Sequence, residues 1–193
     1  DSYGKDYTIY SGFDTEGLYL KYVATPKLKA VSNSANGITV TWNAVNGGGS
    51  TWYRVYRRGA GSTYWYYLGA TQKTSFLDTK IANANNRYYR YTVRAVAGTA
   101  DKGWYSAFDT TGLYLKRITN PVLVSATSAN GGITVKWNAV AGTTGYYVYR
   151  KTANSTWVRV GTVGGANNTT FIDKNASRGV TYTYTVRACY GRT

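Results

Sequence analysis

The side chains able to do chemistry are few. The chain holds eight carboxylates, one thiol and no imidazole in its 193 residues. The carboxylates are Asp1, Asp6, Asp14, Glu16, Asp78, Asp101, Asp109 and Asp173. A pair of carboxylates about 5–10 Å apart could cleave a glycosidic bond. Asp14 and Asp109 stand in matching contexts, however, as do Asp78 and Asp173. A carboxylate repeated at a turn is more simply a turn or capping residue. No histidine can act as a base near neutral pH, and no Ser/His or Cys/His nucleophile pair can be assembled. Cys189 stands alone, so no disulfide forms within the chain and a structural zinc site lacks its ligands. It reads as a buried cysteine on a strand. The run "NGGGS" at residues 46–50 lacks the lysine and the following helix of a phosphate loop. An intramolecular isopeptide bond needs Lys, Asn and a buried carboxylate, and these carboxylates read as turn residues. No catalytic residue, metal site or cofactor is expected.

Binding chemistry has more to stand on. Tyr64, Tyr66 and Tyr67 lie in "TYWYYLG", and Trp52 precedes "YRVYRR". Exposed aromatics on a sheet can stack on sugar rings or anchor a protein interface. They can equally pair across strands with Arg and Thr. The formal net charge is +15, from 23 basic against 8 acidic residues. That balance favours anionic partners such as cell-wall polymers or acidic glycans. No run exceeds two Lys or Arg, so no basic arm suited to specific nucleic-acid binding is present. No apolar stretch is long enough for a membrane span. The Asn-x-Ser/Thr matches at Asn154, Asn167, Asn168 and Asn175 read as Asn-rich turns.

These residues sit on a repeated framework. "PKLKAVSNSANGITVTWNAV" from Pro26 aligns without gaps on "PVLVSATSANGGITVKWNAV" from Pro121, 95 positions later. "TSFLD" ending at Asp78 matches "TTFID" ending at Asp173, and "YRYTVRA" from Tyr89 matches "YTYTVRA" from Tyr182. In this alignment Trp65 pairs with Trp157, whereas Tyr64, Tyr66 and Tyr67 fall opposite Thr156, Val158 and Arg159, and Trp52 opposite Gly145. Those four aromatics are therefore not demanded by the common fold. Ile38, Val40 and Trp42 alternate with Thr39 and Thr41, the period of a strand with one buried face. Gly- and Asn-rich turns separate such stretches, and the pattern predicts an antiparallel β-sandwich of about seven strands per repeat.

The Trp on the second strand, "YRVYRR" or "YYVYRK" on the third and "YTYTVRA" on the sixth resemble fibronectin type III domains. The resemblance implies all-β, tandem fibronectin-III/Ig-like sandwiches, with Tyr89 and Tyr182 at the tyrosine corner, whose hydroxyl bonds back to the backbone upstream. The ending "YS-x-FD-x-x-GLYLK" resembles, more narrowly, tandem repeats of secreted and surface proteins of Gram-positive gut bacteria. It implies an extracellular or cell-surface spacer, filament or adhesive unit.

In that resemblance "WYSAFDTTGLYLKRI" from Trp104 supplies the last strand, G, with a break at "DTTG". Residues 24–118 then form one complete domain. Residues 119–193 form a second without its own G strand, and residues 1–23 are a G strand from a preceding or neighbouring repeat. The chain reads as a mature or excised piece of a longer precursor. Phe13, Leu18 and Leu20 match Phe108, Leu113 and Leu115 as inward residues. Two arrangements stay open: a covalent array cut over two periods, or a head-to-tail polymer in which Tyr10 to Tyr22, with Phe13, Leu18 and Leu20, complete the second domain of the next copy. The rival from another class is a carbohydrate- or host-protein-binding module using Trp52, Tyr64, Tyr66 and Tyr67.

Overall fold

A computed structural model of the chain describes residues 11–12, 16–18 and 20–191. Tyr10 and Phe13 lie outside the described residues. In the first repeat, β1 (Leu28–Ser34), β2 (Gly37–Trp42) and β5 (Ser75–Asp78) form one antiparallel sheet in the order β1-β2-β5. The other sheet runs β4 (Tyr66–Thr71), β3 (Thr51–Gly59), β6 (Arg87–Gly98), with β7 (Gly103–Tyr105) and β8 (Leu113–Arg117) both on the outer edge of β6. The second repeat repeats the plan. β9 (Leu123–Ala129), β10 (Gly132–Trp137) and β13 (Thr170–Asp173) make one sheet, and β12 (Val158–Gly164), β11 (Gly145–Lys151) and β14 (Thr183–Cys189) the other. The helical content among the described residues is one 3₁₀ turn, Thr79–Ile81, and no helix is long and apolar enough to cross a membrane.

Period-two alternation places the core. Ile38, Val40 and Trp42 on β2 face Tyr53, Val55, Tyr91, Val93 and Ala95 across the first sandwich, all buried. Val135 and Trp137 face Tyr146, Val148, Tyr184 and Val186 in the second. Each buried valine or isoleucine among them contributes about 1.5–3 kcal/mol by leaving water. The core tyrosines keep their hydroxyls satisfied. The Val45 N–H donates to Tyr53 Oη at 3.0 Å, and the Val140 N–H to Tyr146 Oη at 2.9 Å. Gly37 and Gly132 explain their own recurrence. At φ of +138° and +136°, a Cβ on either would stand 2.0 or 2.1 Å from the carbonyl oxygen of Asp78 or Asp173.

The G strand of the first repeat is split. Tyr105 pairs with Val96 on β6, and after the break Leu115 pairs with Tyr89. Gly112 turns the chain back at φ +63°, with no room for a Cβ beside the Tyr91 carbonyl. Asp109 is a turn residue there, its carboxylate accepting from the Thr111 N–H at 2.8 Å. The break corrects one expectation. Phe108 does not face the core: its ring stacks on Tyr56 at 6.0 Å and under Arg94 at 5.4 Å, on the outer face of the sheet. The segment leaves strand geometry before Phe108, so strand alternation no longer assigns its side. Leu115 is the residue of that trio that packs against the core.

Candidate functional site

The repeated carboxylates Asp78 and Asp173 are more than turn residues. Each is buried where the last residue of β5 or β13 meets the opposite sheet. Asp78 Oδ2 accepts from Arg57 at 2.7 Å and from the Tyr91 hydroxyl at 2.9 Å, while Oδ1 accepts from the Lys80 N–H at 3.2 Å. Asp173 repeats the set with Arg150 at 2.7 Å, Tyr184 at 2.8 Å and the Asn175 N–H at 3.1 Å. The capping role expected from the sequence is present. The burial and the Arg–Asp–Tyr triad correct the reading of these carboxylates as turn residues alone. A carboxylate that accepts from both a guanidinium and a phenol in a closed core ties the two sheets together. Among the described residues no group of three or more His, Cys, Asp or Glu could hold a metal ion.

Burial, then the hydrogen bond to Asp173, pushes the Tyr184 hydroxyl up to about 12. Its folded value therefore lies above the unfolded value of about 10. The stability it contributes is whole below pH ~10 and is lost as pH rises toward 12. Urea unfolding measured at steps between those values should show the second repeat of the wild type losing stability faster than that of Tyr184→Phe. Equal slopes would refute the assignment.

The tyrosine corner is formed in the second repeat, where the Ser177 N–H donates to Tyr182 Oη at 3.2 Å. The Ser177 side chain, and then this backbone bond, lower the Tyr182 pKa. Tyr89 packs against the first core with the Arg57 guanidinium 5.2 Å from its ring. Cys189 is half-buried on β14, and burial raises its thiol pKa, which leaves little thiolate to react.

The four aromatics proposed for stacking do not form one platform. Tyr67 lies on the outer face of the sheet beside Tyr56, with the Arg54 guanidinium 4.2 Å above its ring. Arg54 also reaches Tyr105, and Arg94 covers Tyr105 at 4.9 Å, so arginines and aromatics alternate across the strands. Trp52 sits opposite Val96, half-buried, near the far end of β3. Tyr64 and Tyr66 form a separate exposed edge-to-face pair at 4.8 Å.

A more distinctive site is the edge of β14. In the first repeat the equivalent strand, β6, is covered by β7 and β8. Among the described residues β14 pairs only with β11. Between β9 and β14 runs a groove of about 310 Å³, lined by Leu123, Val124, Val135 and Tyr184 among others. Leu28, the counterpart of Leu123, is packed against the first core, whereas Leu123 is exposed. At the other end of the molecule Leu18, Leu20 and Tyr22 are exposed, Leu20 at 83%. Gly17 holds φ +57°, close to the +63° of Gly112 at the equivalent turn.

The junctions also match. Lys116 Nζ donates to the Gly142 carbonyl at 3.0 Å, and Lys21 Nζ to the Gly48 carbonyl at 2.9 Å. Val23 is buried in the first core and Ile118 in the second. The segment leading into each sandwich therefore enters it the same way, although among the described residues only the second, β8, is a strand. Between the repeats, Asn85 Nδ2 donates to the Ala141 carbonyl at 3.1 Å and its Oδ1 accepts from the Thr119 N–H at 3.1 Å. Lys116 lies 3.8 Å over the Tyr190 ring, whose hydroxyl meets that of Tyr88 at 3.0 Å. Sequence reasoning missed this contact set, because Asn85 and Tyr190 look like ordinary loop residues.

Residues 121–192 match the family model described as fibronectin type III domain, SaeA third domain. The crystal structure of the chicken CNTN1 FN1–FN3 domains is similar at 18% identity and a TM-score of 0.46, over 89% of this chain and 63% of that one. The chain thus spans less than two thirds of that structure's length. No curated protein matches the chain. Each repeat folds as two facing antiparallel sheets, so the molecule is a tandem of β-sandwiches, and the second of them matches the fibronectin type III family model.

Proposed function

We propose that the chain is a non-enzymatic structural repeat protein of an extracellular or cell-surface assembly, a spacer and filament unit. Its second sandwich is completed by residues 10–22 of a neighbouring copy. The reading is supported by the edge of β14, which pairs only with β11 among the described residues, and by its groove, set against the exposed Leu18, Leu20 and Tyr22. An unpaired edge of N–H and C=O groups recruits a strand, and strand addition satisfies them while alternate side chains fill the groove. Donation runs between copies because the three residues that join the donor to the first sandwich, 23–25, span at most about 10 Å. A head-to-tail contact of this kind is heterologous and propagates into a filament. In a longer covalent array the following repeat supplies the same strand, and the same run of sandwiches results. The net charge of +15 suits such a filament to anionic cell-wall polymers or glycans. An adhesive second reading rests on the exposed Tyr64–Tyr66 pair.

Light scattering after size exclusion, followed by electron microscopy, tests the reading. The 193-residue chain should form concentration-dependent linear oligomers. A chain beginning at Val23 should stay monomeric and be capped by a synthetic peptide of residues 8–22. A full-length monomer at every concentration would overturn strand donation.

A further inference from the structure

Arg117 closes the G strand of the first repeat in an unusual way. It is 1% exposed, with no carboxylate among its hydrogen-bond partners in the described residues. Its guanidinium donates to the carbonyls of Ala82 at 2.7 Å, Ser34 at 3.1 Å, Ile81 at 3.3 Å and Ala35 at 3.4 Å, and to Asn33 Oδ1 at 3.2 Å. These groups come from the β1–β2 turn and the loop after β5. Together they form a socket of oxygens into which the strand end is pinned.

The second repeat has the same socket without an occupant from the described chain. Counting from the gapless alignment and from the paired Asp78 and Asp173, the counterparts of those residues are Ser128, Ala129, Asn130, Ala176 and Ser177. All five line one cavity of about 840 Å³. Lys174 and Arg178, both exposed, line the same cavity, and no acidic side chain does. A second guanidinium would meet like charges there. An aromatic ring would meet cations at its face, the pairing this chain uses where Lys116 covers Tyr190 at the repeat junction.

The residue that the donor strand carries at the position of Arg117 is Tyr22. The geometry points to Tyr22 of a second copy as the occupant of this socket, its ring against Lys174 and Arg178 and its hydroxyl among the turn oxygens. The inference rests on the strand-donation reading and adds what that reading lacks, a register stop and a selector. Leu20 then falls opposite Tyr182 as Leu115 falls opposite Tyr89, and Tyr22 opposite Val180 as Arg117 opposite Arg87. The selector also explains direction. The second sandwich accepts the tyrosine-ended strand at 10–22 and rejects the arginine-ended strand at 105–117 of another copy, so copies join head to tail rather than by exchanging internal G strands.

The test uses the full chain and its self-association measured by light scattering at low salt. Tyr22 is 87% exposed, so its replacement leaves each copy folded. Tyr22→Arg should weaken association by about tenfold or more, through like charge in a confined site. Higher salt should restore part of the loss. Adding Lys174→Thr and Arg178→Ala to Tyr22→Arg should restore most of it. Association of Tyr22→Arg equal to wild type would overturn the socket while leaving strand donation intact. A wild-type chain that never associates would overturn both.

Discussion

Replacing Asp173 with alanine is expected to abolish the folded second sandwich at room temperature, while Asp78→Ala leaves a weakened but folded first one. In both repeats the change strands a guanidinium, Arg150 or Arg57, and a buried phenol, Tyr184 or Tyr91, that shared one carboxylate oxygen. Breaking a buried pair by removing one partner costs about 3–5 kcal/mol. A whole domain is stable by only about 5–15 kcal/mol. The first sandwich has β7 and β8 on its edge strand, whereas β14 pairs only with β11 among the described residues, so the second sandwich as described starts from a smaller margin. Urea titrations followed by tryptophan fluorescence resolve the two, with Trp42 and Trp137 reporting on their own cores. Asp173→Asn should fall between wild type and alanine, since the amide still accepts from Tyr184 but no longer balances Arg150. A loss under about 1 kcal/mol for Asp173→Ala would show that the triad does not hold the sheets together.

Arg117→Met should cost the first sandwich about 3 kcal/mol and loosen its hold on the second. Methionine keeps much of the volume and removes every donor. The carbonyls of Ser34, Ile81 and Ala82 then lose the partner they have in a closed pocket, and a buried group left unsatisfied costs about 1–3 kcal/mol. Burial already lowers the Arg117 pKa, a sign of how dry its surroundings are. Arg117→Lys should recover only part of the loss, because an ammonium cannot span the β1–β2 turn and the loop after β5 as a planar fork does. Unfolding in urea gives the energy, and small-angle scattering reads whether the repeats stay aligned. A methionine variant as stable as wild type would mean that water replaces the guanidinium at no cost.

Much of this molecule is legible in its residues. The alternation of Ile38, Val40 and Trp42 with threonines marks β2, and its copy at Ile133 marks β10, because a half-buried strand must alternate. The break at "DTTG" and the pairing of the G segment with strand F follow from the repeat and the resemblance. The direction of Phe108 does not, since alternation has no authority once the chain leaves strand geometry.

The polar sites mark the limit more sharply. That Asp78 and Asp173 matter can be read from their recurrence, but not that they are buried. Arg57 lies 21 positions before Asp78 and Tyr91 13 after it, on the opposite sheet, and only sandwich closure brings them together. Arg117 is harder still. An arginine at a repeat junction reads as surface, and what buries it is main-chain oxygen from residues 35 and 36 positions away and 82 and 83 positions away in sequence, together with the Asn33 amide. Strand positions and repeat length were determined by the sequence itself, because side-chain alternation is written residue by residue. The sockets and triads were decided by tertiary structure, because backbone carbonyls are the same in every residue and acquire meaning only where the fold gathers them.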